Sequence, residues 1–121
     1  MGTRAVYTFI DKGDRHSVYK HWDGYPAWAC RFIANAVPLA WPLPRFEADE
    51  FAAAFVAANK KQSGDIRLTT GPDAHGDLAY SYEIRCPDGQ LHIRICRGAG
   101  EGQPLFDGTL EVAQQFASTL N

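Results

Sequence analysis

Residues 21–26, with the sequence HWDGYP, hold more chemically capable side chains than any other stretch of this 121-residue chain. His21 and Asp23 are residue types used in general acid–base catalysis, and each can also bind a ligand. A tight turn needs only the Asp-Gly pair or the proline, so turn formation does not account for the histidine and the two aromatic rings. This HWDGYP segment is therefore the first candidate for a functional site.

The predicted first hairpin brings a cation to the same place. Arg4 begins one predicted strand and His21 ends the next, so an antiparallel hairpin places them close together, with Asp23 just beyond. Such a group could bind an anion, or it could be structural, with Arg4 paired to Asp23 and the aromatic rings closing the core. Both interpretations stay open. The candidate ligand- or partner-binding residues are Arg4, His21, Trp22, Asp23 and Tyr25.

No group of residues in the chain reaches the specificity of a catalytic or metal-binding motif. Asp73, His75 and Asp77 alternate in a loop rich in Gly and Pro, but their spacing matches no established metal motif. Aspartate and glycine are common in turns for backbone reasons, which explains the same residues without a metal. We therefore predict no metal, no cofactor and no catalytic residue.

Three cysteines, at positions 30, 86 and 96, form no close-spaced pair. If Asp88-Gly89 is a two-residue hairpin turn, position 86 faces 91 and position 96 faces 81. The two thiols then lie on opposite faces of the ladder and cannot bridge. We expect three reduced thiols, which is typical of a reducing compartment.

Net charge and hydropathy argue against a nucleic-acid-binding protein and against a membrane-spanning protein. A formal net charge of −2 and a pI near 6.0 argue against nucleic-acid or anionic-membrane binding, which usually needs a basic stripe. The first residues enter a strand pattern directly, and no apolar run is long enough to span a bilayer. The expected protein is cytoplasmic and soluble, with one domain over residues 1–121.

Hydrophobic periodicity predicts seven elements and leaves an eighth open. Strands are predicted over residues 4–10, 15–22, 78–86 and 91–97, with a fifth short strand left open at 66–70, and helices over 27–36, 46–61 and 109–120. Two hairpins and about three helices predict an α+β fold, with one antiparallel sheet and the helices mainly on one face. The polar face of the second hairpin is expected to meet solvent or a partner.

The pattern GTRA near the N-terminus, followed by a hairpin and HWDGYP, resembles a group of small proteins carried by bacteriophages and other mobile elements, including integron cassettes. The resemblance covers roughly the first 26 residues. It implies a mobile accessory gene and assigns no chemistry to the segment.

From these observations we predict a non-catalytic accessory binding protein of a mobile genetic element. Its partner near the HWDGYP segment would be another protein, a second copy of itself in a homodimer, or a small anionic ligand. The alternative is a small hydrolase or transferase in which His21 and Asp23 act as acid and base. A deep pocket lined by both side chains favours the enzyme, and a flat aromatic patch favours binding.

Overall fold

The computed structural model describes residues 2–120. Within them, six strands and three α-helices form one sheet and one helical layer. The strands are β1 (Ala5–Ile10), β2 (Arg15–Lys20), β3 (Ile66–Thr69), β4 (Tyr80–Arg85), β5 (His92–Arg97) and β6 (Phe106–Thr109). The helices are α1 (Pro26–Ala36), α2 (Ala48–Asn59) and α3 (Leu110–Ala117). No helix in this described range is long and apolar enough to cross a membrane.

The sheet has the strand order β3-β2-β1-β4-β5-β6. The α+β class and the single open sheet are as predicted, but the sheet is mixed rather than antiparallel. β1 pairs in parallel with β4, while the other four pairings are antiparallel. The two hairpins therefore join through a parallel pair, because residues 70–79 carry the chain from the end of β3 back across the sheet to the start of β4.

The second hairpin has the predicted register. Ser81 faces Cys96 and Glu83 faces Arg94, as a two-residue turn at Asp88-Gly89 requires. Although Glu83 and Arg94 are opposite each other, Glu83 makes its ion pair with Arg85, at 3.0 Å.

The core lies between the sheet and the helices. Side chains alternate along the strands, so one face of each central strand points to the helical layer. Tyr7 and Phe9 of β1 contact Phe55 of α2, with ring centres 4.6 and 5.3 Å apart. This settles the register of the first hairpin, which the sequence pattern left open: Tyr7 and Phe9 face the helices.

The opposite face of the sheet, here called the outer face, is not open to solvent at its centre. Thr8, Ser81 and Cys96 are buried there. They line a small polar cavity of about 180 Å³ together with Pro72 and Gly100, which belong to the loops before β4 and after β5. The expectation of a solvent-facing polar surface on the second hairpin is therefore wrong at its centre, because two loops cross this face.

Candidate functional site

The backbone of the HWDGYP segment has a structural task, because it carries the chain from β2 into α1. The N–H of Gly24 donates to the carbonyl of Thr3 at 2.8 Å, and the hydroxyl of Tyr82 donates to the carbonyl of Gly24. A Cβ at position 24 would stand 2.6 Å from the Thr3 carbonyl oxygen, so only glycine fits. Asp23 has φ of 60°, a left-handed conformation that Asp and Asn tolerate better than most residues.

The side chains of the segment point to three different places. His21 lies toward the outer face, where its Nδ1 is hydrogen-bonded to the hydroxyl of Tyr19 at 2.8 Å. The ring of His75 also stacks on Tyr19, with ring centres 4.6 Å apart. Asp23 instead lines a cleft beside α1, and Tyr25 is 52% exposed at the start of that helix. The side chains of the HWDGYP segment therefore lie in different parts of the molecule and do not form a single site.

Arg4 does not pair with Asp23. Its Nη1 lies 2.6 Å from Oδ2 of Asp77, in the loop that crosses the outer face. The register of the first hairpin pairs Ala5 with Lys20, so Arg4 and His21 do flank the last pair of the ladder, as the sequence suggested. Among residues 2–120, no hydrogen bond or ion pair connects Asp23 to Arg4 or to His21.

The cleft beside the segment, here called the α1 cleft, has a volume of about 510 Å³. The ends of β2 and α2, one side of α1 and the loop before β3 form its walls. Its lining combines aromatic rings, amides and charges of both signs: Lys20, Trp22, Asp23, Trp28, Arg31, Phe32, Asn35, Asn59, Lys61, Gln62 and Asp65. Two of the five predicted site residues, Trp22 and Asp23, belong to it.

A buried ion pair forms one wall of the α1 cleft. Nζ of Lys20 lies 2.7 Å from Oδ1 of Asp65, and the two residues are only 3% and 4% exposed. The Lys20 ammonium also lies 4.5 Å from the centre of the Phe32 ring. The second carboxylate oxygen of Asp65 accepts the backbone N–H of Lys61. Because the two charges are paired with each other, this wall carries no net charge.

The amide side chains form a second fixed wall. Asn59 is 3% exposed and donates to the carbonyls of Phe32 and Phe55, which ties α2 to α1. Its Oδ1 accepts the amide N–H of Asn35 at 3.2 Å. Asn35 is thereby held with its side chain at the cleft, where a bound molecule can reach it.

The rim of the cleft carries a cation without a carboxylate partner. The guanidinium of Arg31 lies 4.9 Å from the centre of the Trp28 ring, and within residues 2–120 it forms no salt bridge. A similar stack exists elsewhere on the molecule, between Arg45 and Trp41 at 3.3 Å. There, however, the guanidinium is also paired with Glu47. Arg67 is stacked on Tyr19 at 4.8 Å and also forms no salt bridge within residues 2–120, but it does not line the cleft. Arg31 is therefore the stacked, unpaired guanidinium that the α1 cleft offers to a ligand.

The thiols and the loop acids add no reactive group to the site. Burial raises the pKa of the Cys30 thiol to about 11, and it also raises the pKa of Cys86 and Cys96. All three cysteines are free in the structure. Of the three loop residues considered as metal ligands in the sequence, Asp77 pairs with Arg4 and His75 is hydrogen-bonded to Thr69 at 2.7 Å. Residues 2–120 contain no group of three His, Cys, Asp or Glu side chains arranged for a metal ion.

Sequence reasoning missed most of the α1 cleft. The sequence pattern indicates only a residue near the end of a strand at Lys20 and an ordinary polar helix position at Arg31. One signal was available: Trp28 and Arg31 are three residues apart in a predicted helix and therefore share a face. The approach of Asp65 to Lys20 depends on β3 pairing with β2, where Lys20 stands opposite Ile66, and the sequence does not specify that pairing.

Comparison with protein-family models, with curated proteins and with solved structures finds no match for this chain. Its class is accordingly defined by its own structure: an α+β domain with an open mixed sheet, three helices on one face, and a charged, aromatic-lined cleft where β2 passes into α1.

Proposed function

We propose that this protein is a non-catalytic binding protein whose site is the α1 cleft, and that its ligand is a small anion with a flat apolar part. The observation that carries the proposal is Arg31, an exposed guanidinium with no carboxylate partner within residues 2–120, stacked on Trp28 at the edge of the cleft. A planar anionic molecule satisfies both groups, since its charge pairs with Arg31 and its ring packs beside the indoles.

The fixed walls of the cleft support binding. The Lys20–Asp65 pair and Asn59 are buried and hydrogen-bonded, so ligand contacts would cost little ordering of the protein. Lys61 adds a second positive charge to the lining, whereas Asp23 is negative. An anion should therefore bind at the Arg31 side of the cleft, away from the carboxylate of Asp23.

We also propose that the protein is encoded by a mobile genetic element, because its first 26 residues resemble proteins carried by such elements.

The alternative prediction, acid–base catalysis by His21 and Asp23, requires both side chains to reach one substrate. Asp23 lines the α1 cleft, whereas His21 is not among the lining residues and is hydrogen-bonded to Tyr19. This arrangement supports binding over catalysis.

The test uses 2-naphthoate as a planar anionic probe, with uncharged 2-naphthamide and inorganic phosphate as comparisons. The three tryptophans provide an internal reference, because Trp22 and Trp28 line the cleft and Trp41 does not. In NMR titrations, 2-naphthoate should shift the indole N–H signals of the first two and leave that of Trp41 unchanged. It should bind more tightly than either comparison compound.

Two substitutions should change this affinity in opposite directions. Arg31→Gln should weaken 2-naphthoate binding by about fivefold, the worth of one exposed charge contact. Asp23→Asn should strengthen it, because a negative charge leaves the cleft while Asn keeps the left-handed backbone. Arg45→Gln is the matched control, and it should leave the affinity unchanged. Equal effects of the two arginine substitutions, or a probe that shifts all three indole signals alike, would overturn the proposal.

A further inference from the structure

The two edges of the sheet differ in how they are protected against pairing. β6, at one edge, carries Asp107 and Gly108 and runs directly into α3. A charge, a glycine and an immediate helix are features that discourage a further strand. β3, at the other edge, has the sequence IRLT, with a leucine at its third position. In the described part of the chain, no strand pairs with its outer side.

The hydrogen-bonding pattern shows which groups of β3 point outward. The N–H of His21 donates to the carbonyl of Asp65, so this pair lies in a hydrogen-bonded position of the β2–β3 ladder. Hydrogen-bonded positions alternate along an antiparallel pair, so the backbone groups of Arg67 and Thr69 also point toward β2. The backbone N–H and C=O of Ile66 and Leu68 therefore point away from the sheet.

The side chain of Leu68 at this edge is also exposed. Leu68 is 86% exposed, the highest value among the large apolar residues in positions 2–120. It stands opposite Val18, a core residue, and therefore lies on the helical side of the sheet. There it borders a groove of about 460 Å³ between β3 and α2, whose apolar lining includes Ala53 and Val56. Backbone groups and an apolar side chain are thus left open at the same place.

We propose that β3 pairs with β3 of a second copy of this chain, in antiparallel register about a two-fold axis at Leu68. The Leu68 residues of the two copies then exchange both backbone hydrogen bonds, and their side chains fill the grooves beside α2. Arg67 comes opposite Thr69 of the second copy, so no like charges face each other across the new ladder. Pairing of the two edges removes the open backbone groups of both copies.

The charges on α2 favour the same symmetry. Its exposed residues include Asp49 near the first turn, Ala53 and Ala57 in the middle, and Lys60 just after the end. A two-fold axis sets the two α2 helices antiparallel, so that the Asp49 end of each copy lies on the same side of the interface as the Lys60 end of the other. This complementarity favours a second copy over an unrelated strand as the occupant of the edge.

Sedimentation velocity of the full chain over a range of concentrations tests the interface. The wild type should be a dimer, and Leu68→Asp should raise the dimer dissociation constant at least about tenfold, since a buried apolar contact is replaced by two facing charges. Leu39→Asp is the matched control, because Leu39 is 57% exposed at a different place. It should leave the dimer intact.

A charge exchange separates this symmetry from other dimers. Lys60→Glu should weaken association, and adding Asp49→Lys in the same chain should restore it, because the two partners then carry reversed charges. A wild type that stays monomeric at millimolar concentration overturns the proposal. A dimer that Leu68→Asp leaves unchanged, or that the double charge exchange fails to restore, overturns it as well.

Discussion

The hydroxyl of Tyr7 is a buried polar group that forms no hydrogen bond within residues 2–120. The residue is fully buried, and burial raises its pKa, with Cys30 and Asp23 adding to the effect, so the phenol stays neutral. An unpaired buried hydroxyl contributes nothing to offset its lost hydration. Tyr7→Phe should therefore leave the free energy of unfolding within about 0.5 kcal/mol of the wild type or raise it, as measured in urea.

Tyr82→Phe is the matched variant, because Tyr82 is 1% exposed and donates its hydroxyl hydrogen bond to Gly24. Its loss leaves a carbonyl of the HWDGYP segment without that donor and should cost about 1–3 kcal/mol. If Tyr7→Phe proves as destabilising as Tyr82→Phe, the Tyr7 hydroxyl has a hydrogen-bond partner in solution.

At the scale of single residues, the sequence showed where the candidate site residues cluster but not which of their side chains lie together. Trp22 and Asp23 do line a cleft, whereas Arg4 and His21 belong to the outer face. Residue types and spacing show where unusual side chains cluster. Which way each side chain points depends on the left-handed backbone at Asp23 and on the close contact at Gly24, and neither can be read from composition.

Among the elements, α2 begins with a cap supplied from a distant loop. Its own N-cap residue, Glu47, makes no side-chain cap, but Asp11 accepts the N–H of Ala48 at 2.7 Å and that of Gly13 at 3.1 Å. The bond from Ala48 has the larger effect and the bond from Gly13 adds to it, and both hold the pKa of Asp11 below its usual value. Because Asp11 and Ala48 are 37 residues apart, local sequence patterns do not reveal the cap.

The capping bond makes a pH-dependent prediction. A carboxylate with a lowered folded-state pKa stabilises the fold above its unfolded pKa of about 3.9, and the contribution fades as pH falls through the lower folded value. Asp11→Ala should therefore lower the melting temperature at pH 7, and the difference from wild type should shrink below pH 4. Asp11→Asn keeps an acceptor without a charge and should show a smaller, pH-independent loss. A pH-independent deficit for Asp11→Ala would contradict the cap.

Element prediction succeeded where periodicity was strong. α2 was predicted over residues 46–61 and spans Ala48–Asn59, and α1 begins at Pro26, a residue suited to a first turn. β6 was missed because Asp107 and Gly108 disfavour strands. It forms by pairing with β5, where Ile93 faces Gly108, so a tertiary contact outweighs local propensity.

For the whole molecule, the sequence predicted the α+β class but not the order of the strands. The parallel pairing of β1 with β4 joins segments about 75 positions apart, and nothing in either segment's own pattern specifies that neighbour. The pairing is stabilised by shared burial instead: Tyr7 and Tyr82 stack across it with ring centres 5.0 Å apart, beneath Phe55.

Phe55 lies where the first hairpin meets the helical layer, so its removal tests the packing of the sheet against the helices. It is fully buried and contacts Tyr7 and Phe9, and Phe55→Ala should lower the free energy of unfolding by about 3–5 kcal/mol. Val112→Ala, at a position 48% exposed, should change it by less than about 0.5 kcal/mol. Because one core serves all the elements, far- and near-ultraviolet circular dichroism should report the same urea midpoint for both variants. A loss below about 1 kcal/mol for Phe55→Ala, or separate midpoints for helices and core, would contradict a single core centred on this ring.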